Sequence, residues 1–178
     1  MPADSRVHVV KSNSIDALAS GERIGPASGF DCILIDGDHN WYTVFNELRL
    51  IRELPLVRPG GFIFLHDVDW PYGRRDLYYQ PDTIPAEFRH PFAQKGMIRG
   101  QSELAEVGGF NSHYNNALRE GGPKNGVLAS IEDFLAQHPQ DYRFFGFTTN
   151  KVWAFCYSIQ AKSRRISVFV PCGLKHSF

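Results

Sequence analysis

Two short apolar runs each end in an acid beside an imidazole, and that pairing limits what the chain can fold into more than any other feature. Cys32-Ile33-Leu34-Ile35 runs into Asp36-Gly37-Asp38-His39, and Phe62-Ile63-Phe64-Leu65 runs into His66-Asp67. Apolar runs of this length, bounded by turn signals, predict strands buried on both faces of a parallel sheet. Side chains of such strands meet water only where the strand stops, so polar chemistry gathers at the strand ends. Between the runs, Val44, Phe45, Leu48 and Ile51 recur at helical spacing from Trp41 to Leu54, with Asn46, Glu47, Arg49, Arg52 and Glu53 on the other side. That is an amphipathic helix. Pro55 and then Arg58-Pro59-Gly60-Gly61 stop it and supply a turn. A strand-helix-strand crossover is right-handed and returns to a parallel strand, so both strands finish on one edge. With neighbouring strands about 4.8 Å apart, Asp36 and Asp67 are placed within reach of one shared ligand, in the crevice where open α/β sheets bind theirs.

The chain has 178 residues, 43% of them hydrophobic and 21% charged, which suits one domain with a proper core. Nineteen basic residues balance nineteen acidic ones, which argues against nucleic acid as a partner. Cys32, Cys156 and Cys172 are odd in number and widely spaced, with Cys32 expected inside a buried strand. This suits small hydrophobes in a reducing compartment and predicts a cytoplasmic protein. No run approaches the roughly 20 apolar residues of a membrane span, and no leader pattern opens the chain.

Arg6 to Val10 reads as a short strand, followed by a weak helix from Ile15 to Ala19 that Ser14 and Asp16 cap. Gly21 to Gly29 is a loop. Residues 68–126 are rich in Pro, Gly and aromatics, with slight helical periodicity around Glu103 to Val107. A connection this long is functional or disordered; Trp70, Tyr72, Tyr78, Tyr79, Phe88, Phe92, Phe110 and Tyr114 argue for order, and the segment is expected to be a substrate lid over the strand ends. A helix follows from Gly126 to His138 with Asn125 as its N-cap, then a hairpin of strands Tyr142 to Phe147 and Val152 to Tyr157. Residues 159–178, with Lys162, Arg164 and Arg165, form a basic tail or an edge strand. The expected organisation is an α/β domain over 1–158 that contains the 68–126 insertion, with the tail beyond it.

For the two carboxylates, Asp36 and Asp67, the functional reading is a site for a hard divalent cation, Mg²⁺, with Asp38 or Asp69 as a third ligand. The bland reading has Asp36 contacting a cofactor or backbone amides and Asp67 capping a turn. His39 and His66 titrate near neutrality, and either can take a proton from an acceptor hydroxyl, or be hydrogen-bonded structure. Trp41 is expected to pack in the core. Arg74-Arg75 either binds an anionic acceptor or solvates the loop, and His113 is a weaker candidate still.

At Ile35-Asp36-Gly37-Asp38-His39, Pro59-Gly60-Gly61 and His66-Asp67-Val68 the chain resembles the class I S-adenosylmethionine-dependent methyltransferases, and within them the macrocin O-methyltransferase-like and cephalosporin-hydroxylase-like group. The resemblance covers about Val7 to Tyr157. It implies a partial Rossmann-like α/β fold, with a mainly parallel sheet and a C-terminal antiparallel hairpin. It also implies S-adenosylmethionine as cofactor, with Ser14, Asp36, Asp38 and His39 as its contacts, and His39, His66 and Asp67 as catalytic residues. The implied reaction is methyl transfer to a hydroxyl of a small molecule or sugar, with metal assistance at Asp36 and Asp67. In the family a strand with a Gly-rich turn and a second strand ending in an acid hold the methionine and ribose ends of the cofactor. Both would precede Val7, so the chain reads as N-terminally incomplete, with an exposed strand edge and weak cofactor binding of its own; a missing segment or a homo-oligomer would complete the sheet.

Two other readings stand beside this one. An apolar run followed by Asp36-x-Asp38 also occurs in nucleotide-sugar glycosyltransferases, where the acids hold a metal on the diphosphate. The chain can also be a noncatalytic methyltransferase remnant.

Overall fold

The computed structural model describes residues 7–20, 24–147 and 153–158. Its main sheet has four strands in the order β1-β2-β7-β6: β1 Phe30–Ile35, β2 Val57–Leu65, β6 Tyr142–Phe147 and β7 Trp153–Ser158. β1 and β2 are adjacent and parallel, with Cys32 opposite Phe62 and Ile35 opposite Leu65, as the crossover argument requires. β2 pairs antiparallel with β7, and β7 with β6. The fold is therefore mixed α/β, a parallel pair continued by an antiparallel hairpin, in keeping with part of a methyltransferase fold. The hairpin turn at residues 148–152 and the basic segment 159–178 lie outside the described residues.

The expected strand at Val7 to Val10 does not form. These residues join no ladder, and Val7, Val9 and Val10 are 68%, 83% and 55% exposed. Among the described residues β1 is an edge strand, and one of its faces is open, which corrects its expected burial on both faces. Leu34 is 57% exposed and Cys32 is exposed as well. Alternation explains the split: Ile33 and Ile35 face the core while Cys32 and Leu34 face away. An open, apolar strand edge is a template for self-association. Leu34→Lys should therefore lower the concentration-dependent association of the protein seen by light scattering, with no loss of thermal stability.

The helix α2, Trp41–Glu53, lays Val44, Leu48 and Ile51 on Ile35, Ile63 and Leu65, and α3, Val127–Gln137, adds Val127, Ile131 and Phe134 to the same core. The short helix α1, Ser14–Ala19, packs on α2 and buries nothing fully. Its cap is Asn13, whose side chain accepts from the Ile15 and Asp16 amides, and not Ser14. The cap of α3 is Gly126 at φ +95°, where a Cβ would lie 2.5 Å from the Arg75 backbone nitrogen. Asn125 instead accepts from the Asp76 amide and donates to the Arg119 and Gly121 carbonyls. The Pro59-Gly60-Gly61 turn is a bulge within β2: one residue of β1 separates Phe30 from Cys32, while four of β2 separate their partners Val57 and Phe62.

The 68–126 insertion is a packed unit. A small sheet of β3 Leu77–Tyr78, β4 Phe92–Gln94 and β5 Asn115–Ala117, in the order β3-β5-β4, encloses Tyr72, Leu77 and Met97. The slight periodicity at Glu103 to Val107 gives no helix; Glu103 makes an isolated bridge to Arg119. Arg75 is fully buried and donates to the carbonyls of Ala117 and Ser102, so it neither solvates the loop nor meets an acceptor. Arg74 makes a two-pronged ion pair with Glu132 at 2.6 Å. Trp41 packs as expected, stacked on Phe45 and Phe88. No helix among the described residues is long and apolar enough to cross a membrane.

Candidate functional site

Asp36 follows the last residue of β1, and His66 and Asp67 follow β2, whose register is continued by the bond from the His66 amide to the Ile35 carbonyl at 3.1 Å. Parallel pairing thus puts the two acid-imidazole endings side by side. His39 enters from the turn before α2 and is 7% exposed. Its Nε2 lies 3.6 Å from Asp36 Oδ1 and 3.2 Å from Asp67 Oδ2, while His66 Nδ1 lies 3.0 Å from Asp36 Oδ1 and 3.2 Å from Asp67 Oδ1. Both carboxylates therefore address the same two ring nitrogens. Asp67 holds φ +54°, a left-handed conformation that Asp tolerates better than most residues.

The insertion forms one wall of this cluster. The ring of Tyr72 is 5.7 Å from that of His39, the Tyr79 hydroxyl is 3.5 Å from His39 Nδ1, and the Leu77 amide donates to the His39 carbonyl. Burial pushes the Tyr72 hydroxyl up to about 12 and raises Tyr79 as well, so both stay neutral donors at physiological pH.

Asp38 has a different task. Its Oδ1 accepts from the His39 amide, and its Oδ2 accepts from Asn40 Nδ2 at 2.6 Å and Thr43 Oγ1 at 2.8 Å. It ties the start of α2 to the turn and is spent there. Asp69 is half-exposed and faces Arg99 at 4.0 Å. The donors that converge with Asp36 are His39 and His66, all within 4.8 Å of one another. His113 packs against Tyr114.

Ser14 is not part of this cluster but borders it through a cavity of about 520 Å³ between α1, β1 and α2, lined among others by Val10, Ser14, Phe30, Leu34, Asp36 and Glu47. Two of the residues expected to touch a cofactor, Ser14 and Asp36, thus line one space; Asp38 and His39 do not.

Sequence reasoning placed Glu47 on the polar side of α2. It is buried instead, 7% exposed, beside Ser14, and one of its carboxyl oxygens has no hydrogen-bond partner. Burial pushes its carboxyl up to about 7 from 4.5, aided by the charge of Asp38 and opposed by the Ser14 hydrogen bond. Between those two pH values the folded protein holds a proton that the unfolded chain has released. This contribution is complete below about pH 4.5 and is lost as pH rises through 7. It amounts to roughly 3 kcal/mol. Urea melts from pH 5 to pH 8 should show stability falling with pH, and Glu47→Gln should flatten that dependence.

Residues 2–68 match the family model described as a methyltransferase domain. The matched stretch takes in Ser14, the Asp36-Gly37-Asp38-His39 turn, α2, the Pro59-Gly60-Gly61 bulge and His66-Asp67. It ends at Val68, where the insertion begins. No curated protein and no solved structure matches the chain.

The donor set bears on the Mg²⁺ expected from sequence. Mg²⁺ takes oxygen ligands in near-octahedral geometry and keeps several waters. Here the donors that gather within 4.8 Å are one carboxylate oxygen and two imidazole nitrogens, and nitrogen is not a ligand that Mg²⁺ favours. The residues do not fit Mg²⁺, and no step of the chemistry below is routed through it.

Proposed function

We propose that this protein transfers the methyl group of S-adenosylmethionine to a hydroxyl of a small molecule or sugar, at the Asp36, His39, His66 and Asp67 cluster. The observation that carries the reading is the convergence of two carboxylates and two imidazoles at adjacent parallel strand ends, within the stretch that matches a methyltransferase domain. The acceptor oxygen attacks the methyl carbon, the carbon-sulfur bond breaks, and its electron pair stays on sulfur as a neutral thioether. The hydroxyl proton passes into the cluster. Asp67, 3.2 Å from both ring nitrogens, is the group that stabilises positive charge developing there. Ser14 and Asp36 line the cavity proposed for the nucleoside end of the cofactor.

The wall formed by Tyr72 and Tyr79 is proposed to face the acceptor and choose among hydroxyls. The narrower likeness to the macrocin O-methyltransferase-like group supports a sugar or other polyol as the acceptor. The glycosyltransferase reading needs Asp36 and Asp38 on one ion, and Asp38 already accepts three hydrogen bonds from the start of α2.

The direct test is transfer of a labelled methyl group. Tyr79→Ala should raise KM for the acceptor several-fold while leaving the affinity for S-adenosylhomocysteine within about twofold. An equal loss of both would remove Tyr79 from acceptor recognition.

A further inference from the structure

The aromatic residues of the insertion do not all turn into its core. Phe110 is 50% exposed, and its ring lies 5.6 Å from that of Trp70, tilted by 42°. Arg99, whose side chain is 69% exposed, holds its guanidinium over the Trp70 ring, 5.1 Å from the centroid. Asp69 stands at the same edge, with Oδ2 4.0 Å from Arg99 Nη2, beyond hydrogen-bonding distance. A half-exposed apolar ring is thus flanked by one charged donor and one charged acceptor.

The backbone holds this arrangement in place. Met97 and Phe110 exchange both backbone hydrogen bonds, at 2.9 and 2.8 Å, and glycines let the two segments approach: a Cβ on Gly96 would collide with the Gly108 carbonyl oxygen. Directly after Phe110, Asn111 turns at φ +54° and donates to the Tyr72 hydroxyl at 2.8 Å. Tyr72 is the residue whose ring faces His39. Trp70 follows Asp67 by three residues, a reach of at most about 10 Å. The Trp70 and Phe110 pair therefore borders the strand-end cluster.

We propose that Asp69, Trp70, Arg99 and Phe110 form a second acceptor subsite for a neutral sugar ring next to the one that is methylated, so that the preferred acceptor is a glycoside of at least two rings. This rests on the reading of the acceptor as a sugar, and narrows it. A sugar ring presents C–H groups on one face, and their partial positive charge suits the negative face of an aromatic ring. Its adjacent hydroxyls need a donor and an acceptor close together, which Arg99 and Asp69 supply. A guanidinium stacked on a ring keeps its N–H groups free at the rim. The charges of Arg99 and Asp69 cancel, so the subsite holds no net attraction for an anionic ring.

The test is binding of the full chain, without S-adenosylmethionine, to an array of neutral and uronic-acid glycans of one to four rings, with calorimetry on the strongest neutral glycan. Neutral glycans of two or more rings should bind, at least about tenfold more tightly than the matching single ring. Phe110→Ala and Arg99→Ala, both at exposed positions, should each weaken binding at least about fivefold, with circular dichroism and affinity for S-adenosylhomocysteine as in the wild type. Leu118→Ala, exposed but outside the subsite, should bind as the wild type does. No glycan bound, single rings bound as tightly as longer ones, a preference for uronic acids, or full affinity in either variant would overturn the subsite. Glycan binding with no methyl transfer would strike only the reaction, whereas methyl transfer with equal kcat/KM for one ring and for two would strike only the subsite.

Discussion

Asp76→Ala should cost about 3–5 kcal/mol of folding stability, the largest single-site loss expected in this chain. Asp76 is wholly buried in the insertion. Its Oδ1 accepts from the Trp41 amide at 2.7 Å and the Gly126 amide at 2.6 Å, and its Oδ2 accepts from the Tyr78 hydroxyl at 2.8 Å. One carboxylate thus satisfies donors at the starts of two helices, α2 and α3, where positive helix ends also favour an anion. Its loss strands three buried donors, each worth about 1–3 kcal/mol when left unmet. Burial pushes the Asp76 carboxyl up to about 6, with the three donors pulling it down, so it is ionised at neutral pH. Asp76→Asn keeps the shape and, with its oxygen, both amide hydrogen bonds, while the Tyr78 hydroxyl can turn to accept from the new amide; it should cost clearly less than Asp76→Ala. Denaturant melts at pH 7.5 check both. A loss below about 1 kcal/mol would mean that the insertion docks by apolar contact alone.

Asp67→Asn should lower kcat for methyl transfer by about 100-fold or more while leaving cofactor affinity nearly unchanged. The carboxylate touches both imidazole nitrogens, at 3.2 Å each. An amide in its place loses the charge that stabilises a proton in the cluster but keeps the volume, so the strand end and its left-handed backbone survive. The cavity with Ser14 lies on the β1 side and does not include Asp67, which is why rate and cofactor binding should separate. A variant with unchanged turnover would take Asp67 out of the mechanism.

The parts of the fold legible in the sequence were those with strong local patterns. The apolar runs at Cys32 and Phe62, the helix from Trp41 and the hairpin after Tyr142 each carry their own periodicity, and parallel pairing of the first two follows from the short crossover. The clustering of Asp36, His39, His66 and Asp67 was legible for the same reason: strand ends in register bring their next residues together. What pattern could not supply was choice among near neighbours. Asn13 and Ser14 are both good caps, and only backbone geometry selects Asn13. Val7 to Val10 alternates like a strand but has no neighbour in the described sheet to pair with.

Glu47 was misread although a signal existed, since it stands three residues after Val44 and four before Ile51, on the apolar stripe of α2. A charged residue on that stripe is itself informative. Arg75 and Asp76 had no local signal. Their burial depends on segments 27 to 50 residues away, from Ser102 to Gly126, that no periodicity connects to them. The insertion was legible as ordered from its aromatics, and it lies against the strand ends at His39, where the sequence expected it. Its attachment to both helix starts through Asp76 had no counterpart in the sequence pattern.

The most direct measurement is a paired transfer assay on the wild-type protein, with methyl-labelled S-adenosylmethionine in one arm, at a concentration high enough to offset the weak cofactor binding expected of this chain, and labelled UDP-sugars in the other, over one panel of sugars and hydroxylated small molecules. The account predicts label transferred to an acceptor oxygen in the first arm, reduced about 100-fold by Asp67→Asn, and none in the second. No methyl transfer to any acceptor, or sugar transfer that survives Asp67→Asn and is lost with Asp38→Asn, would contradict it.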